Sequence, residues 1–112
     1  MKLRVMVAAA VILLFCTKAS ALTMNQFVEI CDSSETRCRD QPLLQIYVGG
    51  ALDLITVLDE ETDYLSTMYC ESPEKLFKVP QIIDYMLTHK ESYADRNAML
   101  LVVKYLEENS GC

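Results

Sequence analysis

Four cysteines, Cys31, Cys38, Cys70 and Cys112, constrain this chain more than any other feature, because cross-links among them would tie together most of its length. A thiol at the last position needs a bridge, a metal or a reactive role, and the compartment decides which. The N-terminus therefore has to be read first. Residues 1–21 carry Lys2 and Arg4, then an apolar run over 5–15, then Ala19-Ser20-Ala21. That order is the pattern of a secretory signal with an Ala-x-Ala cleavage site. The run is shorter than the roughly 20 apolar residues a bilayer crossing needs, and the reading expects no membrane span. Bulky Phe15 disfavours a lipid anchor at Cys16. The expected mature chain is a single domain, residues 22–112.

Export makes disulfides the default use of the four thiols. Three pairings are open. Local closure favours Cys31 with Cys38 and leaves Cys70 for Cys112. Zinc is the weaker use, since no Cys-x-x-Cys knuckle is present and the one histidine is His89. No metal and no cofactor are expected. The mature chain keeps seven basic and sixteen acidic residues, a formal charge of −9. Such a balance argues against nucleic acid and anionic lipid, which are held by clustered Lys and Arg. It suits a basic protein partner, or solubility alone.

The remaining pattern is helical. Thr23 can cap a helix over 24–31 with Met24, Phe27 and Ile30 turned inward. A polar loop follows over 32–40, and Pro42 suits the first turn of a second helix. That helix, 42–58, is apolar nearly all round, as befits a central helix or one at an interface. Gly49 and Gly50 inside it each cost about 1 kcal/mol relative to alanine, which close packing against a neighbouring helix would offset; a local kink is the alternative. Residues 59–75 read as a long acidic and aromatic surface loop, a type that is often functional. Val79, Ile82, Ile83, Met86 and Leu87 mark a third helix reaching about Lys90. A fourth, 93–108, presents Ala94, Ala98, Leu101, Val102, Tyr105 and Leu106, and Gly111 can take a left-handed turn into Cys112. The expected fold is all-α, a small bundle of about four helices with two disulfides. Two over-wide apolar faces in so short a chain suggest a homodimer.

Catalytic chemistry is poorly supplied. His89 falls at a helix end, where an imidazolium is favoured by the macrodipole. Glu60-Glu61 and Glu107-Glu108 are adjacent in sequence, so on a helix they diverge. No glycine-rich phosphate loop is present. The residues point to a binding protein and to no catalytic site.

Tyr47-Val48-Gly49-Gly50-Ala51-Leu52-Asp53 sets a tyrosine, a glycine and an aspartate at three-residue steps. Cys70-Glu71-Ser72-Pro73 follows, then a helix from Val79-Pro80 through Thr88-His89-Lys90, then Ala94, Ala98, Leu101, Val102, Leu106 and Cys112. This ordered set resembles the Tai family of type VI secretion immunity proteins over residues 47–112. The chain departs from the family's pattern at Lys90 and Gly111, where the family often has proline, and in the distance of Cys38 from Tyr47. The resemblance implies an exported, periplasmic homodimer that plugs the cleft of a cysteine-dependent peptidoglycan amidase effector. On that reading Asp59, Glu60, Glu61 and Asp63 steer the partner, while Tyr64, Ser66, Thr67 and Tyr69 make the close contacts. Complementary charge speeds association, and aromatic anchors dominate interface energies. A periplasmic acid-stress chaperone, also small, helical and disulfide-bonded, is the alternative; a helical carrier of an apolar ligand is a third.

Overall fold

The structure, a computed structural model, describes residues 21–62, 70 and 73–112. Within them the chain is all-α, with five helices and no strand. Helix α1 is Met24–Asp32. A 3-10 turn at Cys38–Asp40 leads into α2, Pro42–Glu61. The one-turn α3, Pro73–Leu76, precedes α4, Val79–Thr88. A second 3-10 turn, Lys90–Tyr93, then leads to α5, Met99–Glu108.

Local chemistry starts these helices where the sequence indicates. The Thr23 hydroxyl accepts the Gln26 N–H at 3.2 Å, and the Gln26 side chain accepts the Thr23 N–H at 2.9 Å. This reciprocal capping box satisfies two donors that α1 would otherwise leave orphaned. Pro42 and Pro80 both lie in a first turn, where their missing N–H costs nothing.

The last helix starts later than periodicity suggests. Residues 93–98 form turns because their backbone is engaged by the start of α1. Met24 N–H donates to the Arg96 carbonyl at 3.0 Å, Asn25 N–H to that of Ala94 at 2.9 Å, and Ala98 N–H to that of Leu22 at 2.9 Å. The Asn97 side chain then accepts the Met99 N–H at 3.0 Å and begins α5. Helix α2, in contrast, runs three residues beyond the expected Leu58, so Asp59, Glu60 and Glu61 occupy its last turn instead of a loop.

One core joins the elements. Met24, Phe27 and Cys31 of α1 meet Leu44, Val48 and Leu52 of α2, Ile82, Ile83 and Met86 of α4, and Leu101, Val102 and Leu106 of α5. Full burial of each large side chain contributes about 1.5–3 kcal/mol. Phe27 and Tyr47 add a tilted ring pair at 6.2 Å between α1 and α2, and burial pushes the Tyr47 phenol above its usual pKa. Arg39 in the first 3-10 turn reaches Asp84 of α4 at 3.3 Å, a half-exposed pair that orients more than it stabilises.

Two disulfides staple this core. Cys31 is joined to Cys38 and Cys70 to Cys112, with α-carbons 5.0 and 5.1 Å apart, within the usual range. Disulfide-bonded cysteines are compatible with an oxidising, exported compartment.

Helix α2 is not the centre of the bundle. It packs one face on α1, α4 and α5 and exposes the opposite one, where Leu43, Ile46, Leu54, Val57 and Leu58 face outward. By length and composition it could cross a bilayer, which is weak evidence of a span. Its two glycines do not serve close packing within the chain, contrary to expectation. A β-carbon at Gly49 or Gly50 would meet nothing within 4 Å.

Candidate functional site

The C-terminal turn of α2 gathers the part of the expected partner-binding set that is described. Asp59 is half-buried there, while Glu60 and Glu61 are exposed. Thr62 closes the helix: its backbone N–H and its hydroxyl both donate to the Leu58 carbonyl, at 3.0 and 2.6 Å. Carbonyl groups at a helix C-terminus create a partial negative charge, so three carboxylates in this turn oppose the macrodipole. No basic residue shares the turn. Among the described residues, ion pairs form elsewhere, at Arg37–Asp40, Arg39–Asp84 and Lys104–Glu108. Among the described residues no ion pair offsets this acidic turn, a local conflict more typical of binding surfaces than of scaffold.

Asp63, Tyr64, Ser66, Thr67 and Tyr69 lie outside the described residues. The points that bracket them do not. Thr62 fixes the upstream side. Downstream, Cys70 is exposed, is disulfide-bonded to Cys112, and donates its N–H to the Ser110 carbonyl at 2.7 Å. Ser110 lies two residues beyond α5, and Gly111 turns the chain back through a φ of 70°, the left-handed region that suits glycine. The two described residues that flank 63–69 are thus Thr62 at the end of α2 and Cys70, which is bonded to Cys112 beyond α5.

His89 is structural. Its N–H caps α4 on the Tyr85 and Met86 carbonyls, and its Nδ1 lies 2.8 Å from the Tyr85 carbonyl oxygen. A carbonyl only accepts, so Nδ1 carries the proton. The ring also stacks at 4.2 Å on Tyr85, whose hydroxyl donates to Glu108 at 2.8 Å and whose ring meets Tyr105 edge-on at 5.3 Å. Burial, then the Glu108 carboxylate and Tyr93, push the Tyr85 phenol up to about 12. This aromatic seam locks α4 to α5. Sequence reading missed it because Tyr85 and Glu108 are 23 residues apart; Tyr85, Tyr105 and Glu108 on facing helical stripes are the only hint. Among the described residues, no group of three or more His, Cys, Asp or Glu side chains is placed to hold a metal ion.

Compared with protein-family models, curated proteins and solved structures, the chain matches none.

Proposed function

We propose that this chain is an exported immunity protein, resembling the Tai family, that binds and blocks a cysteine-dependent peptidoglycan amidase in the periplasm. The acidic last turn of α2 steers a basic enzyme, and residues 63–69 enter its cleft. The observation that carries this reading is the acidic run Asp59, Glu60 and Glu61 in a last helical turn with no basic residue, close in sequence to Cys70, which is bonded to Cys112. A segment held near its bound shape loses less conformational entropy on docking. The protein supplies surface and no chemistry; the enzyme supplies the nucleophile that is covered.

The test is to replace Asp63, Tyr64 and Ser66 together and measure binding to the cognate peptidoglycan amidase. Binding should fall by at least about a hundredfold if these residues include the interface anchors. Unchanged affinity in a folded variant removes 63–69 from the site.

The exposed apolar ridge of α2 supports the second reading, an acid-stress chaperone. In that case protonation of carboxylates would free apolar surface, and the protein would suppress aggregation of unrelated proteins at low pH. An immunity protein binds one enzyme and leaves the others to aggregate.

A further inference from the structure

The two disulfides differ in what surrounds them. Cys70 and Cys112 are both exposed and both stand outside the helices, Cys70 ahead of α3 and Cys112 beyond the left-handed turn at Gly111. The other bridge is built into the core. Cys31 is only 7% exposed on the inner face of α1, and half-buried Cys38 packs against the same core. The turn that carries Cys38 is also fastened to its neighbours: the Gln45 side chain donates to the Arg39 carbonyl at 2.9 Å, and Arg39 pairs with Asp84 of α4 at 3.3 Å.

We infer that the Cys70–Cys112 bridge is a site of reversible thiol–disulfide exchange with an external dithiol of the Cys-x-x-Cys type, and that Cys31–Cys38 is closed to the same chemistry in the folded protein. In the exchange a thiolate of the dithiol bonds to the sulfur of one cysteine of the pair. The S–S bond breaks, and its electron pair leaves on the other sulfur, which takes a proton from water. The second thiol of the dithiol, once deprotonated, displaces the first protein sulfur, which is protonated in turn. The protein gains two electrons and two protons, and the dithiol becomes a disulfide.

The rate of such a step depends on access and on how well the departing sulfur carries charge, and exposed bridges are the labile ones. Both conditions separate the two bridges. At Cys70–Cys112 both residues are open to solvent, so the departing thiolate is met by water. At Cys31–Cys38, attack on Cys31 has to pass through the core. Attack on the more open Cys38 expels the Cys31 sulfur as a thiolate into apolar surroundings, which raise a thiol's pKa and make it a poor leaving group.

The return step is provided for as well. Cys70 N–H donates to the Ser110 carbonyl at 2.7 Å and Cys112 N–H to the Ser110 hydroxyl at 3.4 Å, so Ser110 holds the two thiols beside each other once the bridge is open. Reoxidation is then intramolecular. This chemistry does not rest on the amidase reading and stands or falls separately from it.

The test takes the full chain, exported and oxidised, into dithiothreitol without denaturant, blocks free thiols with iodoacetamide at intervals and locates them by peptide mass spectrometry. Initial rates are compared, before loss of one bridge can loosen the fold. Cys70 and Cys112 should be labelled at least about tenfold faster than Cys31 and Cys38, and in guanidinium chloride that difference should be lost. A reduced Cys-x-x-Cys oxidoreductase whose second cysteine is replaced by serine cannot complete the exchange, and it should be trapped on Cys70 or Cys112. The inference is overturned if Cys31 and Cys38 are labelled as early as the other pair, or if the difference survives undiminished in guanidinium chloride. It is likewise overturned if the oxidoreductase is trapped on Cys31 or Cys38, or on neither bridge.

Discussion

Cys70 is bonded to Cys112 and also hydrogen-bonded to the residue two before it, Ser110, so the end of the segment beginning after Thr62 is held to α5 by one covalent and one polar link. Replacing Cys70 and Cys112 by serine removes a closure of 42 residues, which in the chain-entropy model contributes about 4 kcal/mol. Denaturant titration should register a loss of that order. In the fraction that remains folded, the proposed inhibition should weaken further, because Cys70 is then no longer bonded to Cys112. Equal inhibition by a folded, reduced variant would reduce the bridge to a stabilising staple.

Glu60 sits at the negative pole of a 20-residue helix. Glu60→Lys reverses an unfavourable interaction with the macrodipole, and chemical denaturation should show a gain of about 0.3–1 kcal/mol at low salt. The same substitution should slow association with a basic partner, an effect that fades as salt is raised. A variant that gains stability and binds as quickly as before would show that this turn does no steering.

Tyr85 couples α4 to α5 through Glu108, and its phenol is raised to about 12. In the unfolded chain it ionises near 10, so up to that pH the neutral form serves both states and stability is unaffected. Between about pH 10 and 12 the unfolded state releases a proton that the folded state retains, and stability falls as pH rises through this window. Tyr85→Phe should flatten that part of the curve and cost about 1 kcal/mol at neutral pH. Site-resolved NMR titration of Tyr85 checks the premise; ionisation near 10 in the folded protein contradicts it.

The capping box at the start of α1 ties Thr23 to Gln26 in both directions. Thr23→Ala should cost about 1 kcal/mol in thermal denaturation. A neutral substitution would mean that the neighbouring bonds to Ala94 and Arg96 hold this end without the cap.

The fold was legible wherever local chemistry decides it. Thr23, Pro42 and Pro80 announce helix starts, Gly111 announces a left-handed exit, and the buried positions of α4 and α5 follow helical spacing. What escaped depends on partners distant in sequence. The carbonyls of Ala94 and Arg96 serve α1, and no reading of 93–98 alone reveals that the last helix must wait until Met99. The run Asp59-Glu60-Glu61 breaks an apolar pattern and reads as loop, yet glutamate is a good helix former, and α2 continues through it to Glu61. For the candidate site, the carboxylates were legible as residues. Their position in the last turn of a helix, with no basic residue in that turn, was not. Gly49 and Gly50 suggested close packing against a neighbouring helix or a local kink, and among the described residues a β-carbon at either would meet nothing within 4 Å.

Inhibition is tested most directly by titrating the exported, oxidised protein into the cognate peptidoglycan amidase. Release of crosslink cleavage products from peptidoglycan should fall linearly and stop near stoichiometric addition. Undiminished hydrolysis in the presence of excess protein would contradict the account.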